Sequence, residues 1–173
     1  MPDRSNRSFN EPAPPDVRIE FLADRPEFVL TVCAWHHGLW LRGFGLTELE
    51  TLAWVRGHLY RDRVPLSLVA SHDDCPIGMA SIVPDELTGD AHRALVLDGV
   101  FVRANWRGRG VASALCRRAC AEAFRHGAVR LCLATRDQQA FYEHLGWTKV
   151  NDTLIEFDRD LSWVAIMERR LEA

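Results

Sequence analysis

One stretch of the chain constrains the fold more than any other. An apolar run, "ALVLDGVFV" (Ala94 to Val102), predicts a long central strand, and the Arg/Gly-rich joint "NWRGRGVASAL" (Asn105 to Leu115) follows it closely. From about Gly108 to His126, apolar residues then recur at steps of three and four, as in a helix with one face on a core. A buried strand that leads into such a helix indicates a sheet covered by helices.

The rest of the chain extends this pattern into one mixed α/β domain. In order, we expect a strand, two helices, three strands, a helix, a strand, a helix and two strands. The polar, proline-rich residues 1–16 predict a flexible segment, and residues 17–173 predict a single domain. With 173 residues, 47% of them hydrophobic, the chain is long enough for one buried core and short for two.

Capping signals mark where the helices begin. Asp24, Thr47 and Asp137 each precede a helical pattern and are the expected N-caps, and Glu50 completes a capping box with Thr47. Glycines mark where the helices end. We expect the first helix to stop at Gly38 or at the pair Gly43/Gly45, the third at Gly127 and the fourth at Gly146.

Composition narrows the classes of function. The net charge of -3 argues against a protein that coats nucleic acid. No stretch approaches the roughly 20 apolar residues of a membrane span, and the N-terminus has no apolar signal core. The five cysteines lack the spacing of a disulfide framework or a zinc site. We therefore expect a cytoplasmic protein, monomer or homodimer, with reduced thiols, no metal, and no nucleic-acid or membrane partner.

The joint itself admits several interpretations. Its two glycines can simply shape a tight turn. A P-loop would need a Gly-Lys-Ser/Thr ending, which is absent. A dinucleotide fingerprint would need a glycine where Ser113 stands and an acid about 20 residues later, but His126 to Arg136 contains none. The outward amides of a helix start and the cations Arg103, Arg107 and Arg109 favour a bound anion, and a pyrophosphate fits these features.

Two motifs resemble those of the GNAT N-acetyltransferases. The joint is similar to the family's acetyl-CoA motif Arg/Gln-x-x-Gly-x-Gly/Ala, with Arg107, Gly110 and Ala112 at the fixed positions. The run "AFYEHLGW" (Ala140 to Trp147) resembles the second hallmark, Phe-Tyr-x-x-x-Gly-aromatic. The element order is similar from Val17 to Leu171. A finer local likeness is to the branch that contains the actin N-terminal acetyltransferase and its bacterial relatives.

The resemblance implies a fold and an activity. The fold is the acyl-CoA N-acyltransferase fold, a mostly antiparallel sheet with a splay after the fourth strand, flanked by helices. The activity is direct transfer of an acetyl group from acetyl-CoA to a primary amine of a small molecule or peptide, without a metal. Two alternatives stay open: an acetyltransferase acting on protein or peptide N-termini or lysines, and a non-catalytic acyl-CoA sensor.

The resemblance also implies the site residues. Tyr142 matches the tyrosine that protonates the CoA sulfur. Thr135 stands where many members carry an Asn that contacts the CoA arm, and Gln138 stands where many carry an Ala. The residues expected to bind acetyl-CoA are Val100, Phe101, Val102, Arg107, Gly108, Arg109, Gly110, Val111, Ala112 and Thr135.

The proton acceptor is open. Asp98 is an acid in an apolar strand, where it needs a function or a hydrogen bond, and strand alternation predicts that it shares a face with Val100 and Val102. We expect Asp98 to act as base or to orient the amine. The other candidates are a water chain and the side chains of His72, His92 and Glu86.

Aromatic side chains are concentrated in the first two helices, which wall the acceptor site in the family that the motifs resemble. They can equally form one aromatic core face. Adjacent histidines lie about 100° apart on a helix, so His36 and His37 cannot readily bind one metal. The aromatic group comprises Trp35, His36, His37, Trp40 and Trp54.

Overall fold

The computed structural model describes residues 14–85 and 94–172. The strands are β1 (Arg18–Phe21), β2 (Leu66–His72), β3 (Cys75–Pro84), β4 (Ala94–Val102), β5 (Arg130–Thr135), β6 (Thr148–Phe157) and β7 (Asp160–Arg170). The α-helices are α1 (Val29–His36), α2 (Glu48–Arg56), α3 (Val111–Arg125) and α4 (Gln139–His144). This is the predicted order of elements. Among the described residues, no helix is long and apolar enough to cross a membrane.

The strands form one seven-stranded sheet in the order β1-β2-β3-β4-β5-β7-β6, and its neighbours are antiparallel except for β4 and β5. Helices α3 and α4 cover one face and α1 and α2 cover the other, so that two cores sandwich the sheet. The first core includes Leu68, Leu115 and Trp147. The second includes Val32, Val55 and Met79. This is the mixed α/β, mostly antiparallel architecture that the sequence predicts.

The predicted splay lies between the two parallel strands. Strand β4 is paired with β5 only near its start, and it continues to Val102 without β5 beside it. A β-bulge at Gly99, whose φ is +60°, interrupts the pairing of β4 with β3 on the other side. The paired residues of β4 and β5 are Ala94 with Arg130, Leu95 with Leu131 and Val96 with Cys132. The second half of β4 therefore forms one edge of an opening in the sheet.

One of the three predicted N-caps is confirmed. Thr47 and Glu50 form a complete capping box at the start of α2. Asp24 is not a cap, because the chain enters short 3₁₀ turns there and the Asp24 carboxylate instead contacts Arg61. Asp137 is not a cap either, because α4 begins one residue later than predicted and Gln138 holds the cap position.

The helix ends depend on glycine in most places. Gly127 and Gly146 follow α3 and α4 with φ of +82° and +80°, as predicted. Gly38 does not end the first helix, because α1 continues as a π-helical turn over His37–Leu41. The chain leaves the helix only at the turn that contains Gly43 and Gly45.

The N-terminal segment that the sequence predicts, residues 1–16, lies outside the described residues except for 14–16. There, Asp16 Oδ2 lies 2.5 Å from His72 Nε2 at the end of β2. All five cysteines are free thiols.

Candidate active site

A cavity of about 700 Å³ occupies the opening between β4 and β5. Its walls come from the end of β4, the joint, the first turn of α3, the loop before α4, α4 itself and the π-helical turn. The lining residues are Leu39, Trp40, Val100, Phe101, Val102, Trp106, Arg107, Gly108, Gly110, Val111, Ala112, Ser113, Asp137, Gln138, Phe141 and Tyr142. The topology thus brings most of the predicted site residues to one cavity.

The joint presents the start of a long helix to this cavity. Gly108 and Gly110 have φ of +68° and +75°, a left-handed conformation that other residues rarely adopt. Gly110 is the N-cap of the 15-residue α3, and its carbonyl oxygen accepts the first helical hydrogen bond, from the Ala114 amide at 2.9 Å. Amides before that point have no carbonyl partner within a helix, so the helix start is suited to an anion.

Two of the predicted arginines are held at the joint. Arg107 Nε donates a hydrogen bond to the Val102 carbonyl oxygen at 3.0 Å, which ties the joint to the last residue of β4. The Arg109 guanidinium stacks over the Trp106 ring, 5.0 Å from its centroid. Arg107 lines the cavity. Arg109 does not line it, although it contacts the ring of Trp106, which does.

Tyr142 lines the cavity from α4. Only 8% of its surface is exposed, and its ring packs edge-on against Phe141 and Trp147, with centroids 5.0 and 5.8 Å away. Burial raises the pKa of the Tyr142 phenol well above its usual value, and nearby Cys116 and Asp98 raise it further. The phenol therefore stays protonated and can donate a proton, as the predicted role requires.

The bulge at Gly99 overturns one prediction about Asp98. The extra residue reverses the alternation, so Asp98 does not share a face with Val100 and Val102. Asp98 is paired with Ser81 on the face covered by α1 and α2, whereas Val100 and Val102 pack into the α3 core. Burial raises the pKa of the Asp98 carboxyl, and a hydrogen bond with the Gly99 backbone partly opposes that shift. Asp98 does not itself line the cavity.

His36 is packed against the bulge. It is 1% exposed, and a Cβ atom built on Gly99 would lie only 2.4 Å from its Cε1. Its ring contacts those of Trp54 and Trp40, with centroids 4.8 and 5.7 Å away. Burial lowers the pKa of His36 to about 3, with a further contribution from His58. Its Nε2 has no hydrogen-bond partner among the described residues. His36 is thus a neutral ring behind the cavity wall.

The other aromatic residues divide between wall and core. Trp40 lines the cavity, and Trp35 packs against Phe101 with ring centroids 5.0 Å apart. His37 is directed away, since its Nδ1 bonds Thr51 Oγ1 at 3.0 Å. Trp40 is thus the member of the aromatic group that lines the cavity, whereas Trp35 and Trp54 pack against the core, and a role in an acceptor site stays a prediction. In the described part of the chain, no group of three or more His, Cys, Asp or Glu side chains could hold a metal ion.

Of the remaining side-chain candidates for the base, His72 does not line the cavity and lies far from Asp98, and the other two lie outside the described residues. His72 bonds Asp16, and its ring contacts Trp106 with centroids 4.6 Å apart. Ser67 is the residue of β2 that lies level with Asp98 across the sheet. His72 lies five residues further along β2, a distance of about 16 Å at the rise of a strand. Glu86 and His92 lie outside the described residues.

Thr135 and its neighbours differ from the expected arrangement. The Thr135 Oγ1 accepts a hydrogen bond from the Gln138 amide at 3.1 Å, and Thr135 does not line the cavity. Leu39, Trp106, Ser113 and Asp137 line the cavity although they are not among the site residues predicted from the sequence. Trp106 and Ser113 lie inside the quoted joint, so that motif contained a usable signal. Leu39 depends on the π-helical turn, which periodicity does not reveal.

The fold and the position of the cavity together indicate which class of protein this is. A mostly antiparallel sheet that opens between its one parallel pair, with a helix start at the opening, is the arrangement of the acyl-CoA N-acyltransferase fold. The family model described as "Acetyltransferase (GNAT) family" matches residues 29–147. The chain belongs to the GNAT family of acetyltransferases.

Solved structures share this fold at low sequence identity. The yncA protein of Salmonella typhimurium, solved with its cofactor acetyl-CoA, is 19% identical with a TM-score of 0.71, covering 91% of this chain and 95% of that one. An N-acetyltransferase from Staphylococcus aureus Mu50 is 17% identical with a TM-score of 0.72, covering 90% and 99%. An aminoglycoside 6'-N-acetyltransferase complexed with coenzyme A is 12% identical with a TM-score of 0.71, covering 90% and 98%. No curated protein matches the sequence significantly.

Proposed function

We propose that this chain transfers an acetyl group from acetyl-CoA to the primary amine of a small molecule or peptide. The observation that carries the proposal is that the start of α3 and Tyr142 line the same cavity. Membership of the GNAT family supports it, as do related folds solved with acetyl-CoA and with coenzyme A.

The joint fits the pyrophosphate of CoA. A chain of phosphates needs donors at close range and no side chain in the way, and the positive-φ residues Gly108 and Gly110 meet that need. A Cβ atom built on Gly108 would meet nothing within 4 Å, so the surface there is open. Arg107 adds a cation beside the same turn.

The exposed half of β4 fits the pantetheine arm. Beyond Val96, β4 has no pairing with β5, so backbone groups of Val100 to Val102 can bond to a ligand instead. An arm laid along β4 from the joint leads toward Tyr142. Bound acetyl-CoA supplies a thioester carbonyl carbon open to attack and a sulfur that can leave.

The reaction then needs two proton transfers, one from the attacking amine and one to the departing sulfur. The amine nitrogen forms a bond to the carbonyl carbon, the carbon–sulfur bond breaks, and the amine must lose a proton. We assign that proton to Asp98, reached through water, because Asp98 is the carboxylate on the strand that borders the opening but does not itself line the cavity. Tyr142, kept protonated by burial, donates a proton to the departing sulfur.

The test is a product assay. Purified protein is incubated with acetyl-CoA and a panel of primary amines, and free thiol and acetylated amine are both quantified. We expect equal molar amounts of the two products, at a rate that depends on enzyme concentration. Acetyl-CoA binding without either product across the panel would support the sensor alternative and contradict the proposal.

A further inference from the structure

We infer that the acceptor is a small primary amine with an apolar body rather than a polycation. The inference rests on the proposed function, because CoA would then occupy the joint and the edge of β4. Outside the joint and the valines of β4, the apolar side chains that line the cavity are those of Leu39 and Trp40 of the π-helical turn together with Phe101 and Phe141. The polar ones are Asp137, Gln138 and Tyr142, which lie on α4 and the loop before it.

The π-helical turn sets this wall in place. It widens the helix after α1, and such turns occur frequently at functional sites. The loop behind it is fixed to the tip of the β6–β7 hairpin, because the Asp158 amide donates to the Gly43 carbonyl oxygen at 2.9 Å. Phe157 packs against Gly43 and meets the Phe44 ring, with centroids 5.2 Å apart. A preformed apolar wall selects for an apolar ligand surface.

The groups behind the wall that the structure describes offer no free carboxylate to a second ammonium. His36 supports Trp40 and is neutral, since burial lowers its pKa to about 3. Asp98 does not line the cavity, and the proposed mechanism already uses its carboxylate for the reacting amine. Among the described lining residues, the charged side chains are Arg107 of the joint and Asp137 of the loop before α4. A polycation would lose hydration here without a set of carboxylates to replace it.

Two amines of equal length provide the sharpest comparison. Heptylamine and diaminoheptane share the reacting amine and the methylene chain, and they differ only in a second ammonium at the far end. We expect kcat/KM with acetyl-CoA to be at least tenfold higher for heptylamine at neutral pH. A higher kcat/KM for diaminoheptane, or for a peptide amine assayed beside the two, would overturn the inference.

A charge placed in the wall tests the same point from the protein side. Leu39→Asp puts a carboxylate beside the acceptor path and should lower the heptylamine to diaminoheptane ratio at least tenfold. Leu30→Asp is the matched control, because Leu30 is also an exposed leucine of the first helix, 69% exposed against 40% for Leu39, but does not line the cavity. Equal ratios in the two variants would overturn the inference.

Failure of the inference can be told from failure of the proposed function. If acetyl-CoA does not bind the wild-type protein, the proposed function fails and the acceptor inference fails with it. If acetyl-CoA binds but neither heptylamine nor diaminoheptane is acetylated while other amines are, only the inference is overturned.

Discussion

At the residue scale, the proposed chemistry depends on two groups that burial keeps from ionising easily. Tyr142 has a raised pKa, so its phenol is protonated at neutral pH and holds a proton that it can give to the sulfur. Asp98 also has a raised pKa, which brings a carboxylate closer to the range useful to a base. Because Asp98 is among the causes that raise the pKa of Tyr142, ionisation of one opposes ionisation of the other.

Tyr142→Phe tests the proton donor. The ring and its contacts with Phe141 and Trp147 remain, and only the hydroxyl is lost. We expect turnover to fall about 10- to 1000-fold, the usual contribution of a positioned general acid, with little change in acetyl-CoA affinity. Steady-state kinetics and calorimetry measure the two effects. Wild-type turnover, with chemistry shown to be rate-limiting, would remove Tyr142 from the mechanism.

Asp98→Asn tests the proton acceptor through activity and stability together. In the wild type, burial raises the folded-state pKa of Asp98 above its ordinary value of 3.8, so the free energy of unfolding falls as the pH rises from 3.8 through the folded-state pKa. Asn cannot ionise, so its stability advantage should appear as pH rises and vanish below pH 3.8. We expect kcat/KM to fall about 100-fold.

Urea unfolding at several pH values measures the stability of the Asp98→Asn variant, and steady-state kinetics measures its kcat/KM. A variant that keeps full activity and shows no stability advantage at neutral pH would contradict both roles assigned to Asp98. Wild-type kcat/KM should rise with pH through the ionisation of Asp98, at a pH above the usual range for aspartate.

At the element scale, the site depends on a strand, a joint and a helix that share one hydrogen-bonded corner. The Arg107 side chain bonds the last carbonyl of β4, and Gly110 begins α3 immediately afterwards. Because these contacts are local in sequence, the strand edge and the helix start are held in a fixed relation. A ligand that bridges the two therefore meets a preformed surface.

Arg107→Ala tests this corner. Removing the guanidinium takes away a cation at the helix start and frees the Val102 carbonyl. We expect acetyl-CoA affinity to fall by about 1–3 kcal/mol, the worth of a charge-assisted hydrogen bond, as measured by calorimetry. Arg117→Ala removes an exposed arginine of α3 that does not line the cavity, so it is the control and should leave the affinity unchanged. Equal losses in both variants would point to a general charge effect.

Element types and order could be predicted from the sequence, but several element details could not. Apolar periodicity, the Thr47/Glu50 capping box and the joint motif are local signals, and the structure matches them. The bulge at Gly99 could not be read from the composition of β4. It places every later side chain of the strand on the opposite face of the sheet, and it is visible only in the pairing of β4 with β3. The π-helical turn at His37–Leu41 likewise keeps helical composition and is set by packing.

The residues of the candidate site likewise divide into those that local sequence motifs predict and those that depend on tertiary contacts. Sequence motifs located Arg107, Gly110 and Tyr142, because each lies at a fixed distance from a recognisable turn or helix. They could not place Leu39, which reaches the cavity only through the π-helical turn, nor show that Thr135 Oγ1 is used by the Gln138 amide. Contacts between segments distant in sequence require the three-dimensional arrangement.

At the scale of the whole molecule, ligand binding and folding are linked. A ligand that binds only the folded state stabilises it by about 2.7 kcal/mol at a hundredfold excess over Kd. Acetyl-CoA should therefore raise the midpoint of thermal unfolding in a concentration-dependent way, and CoA should do the same. NAD should have much less effect, because the joint lacks the third glycine and the acid of a dinucleotide site. Equal stabilisation by NAD would contradict the assignment of the cavity to CoA.

Two glycine variants, one at each end of α3, test most directly whether the start of this helix binds acetyl-CoA. Gly110→Glu and Gly127→Glu each add a carboxylate at a left-handed position, with φ of +75° and +82°. Only Gly110 lines the cavity, whereas Gly127 follows the far end of α3. Circular dichroism first checks that both variants are folded.

Calorimetric titration then measures the affinity of each folded variant for acetyl-CoA. The added carboxylate of Gly110→Glu would repel the pyrophosphate and block its approach to the helix amides, so we expect no measurable binding. Gly127→Glu carries the same charge and comparable backbone strain away from the site, so it should bind acetyl-CoA with wild-type affinity. Wild-type affinity in a folded Gly110→Glu variant would contradict the claim that acetyl-CoA binds at the start of α3.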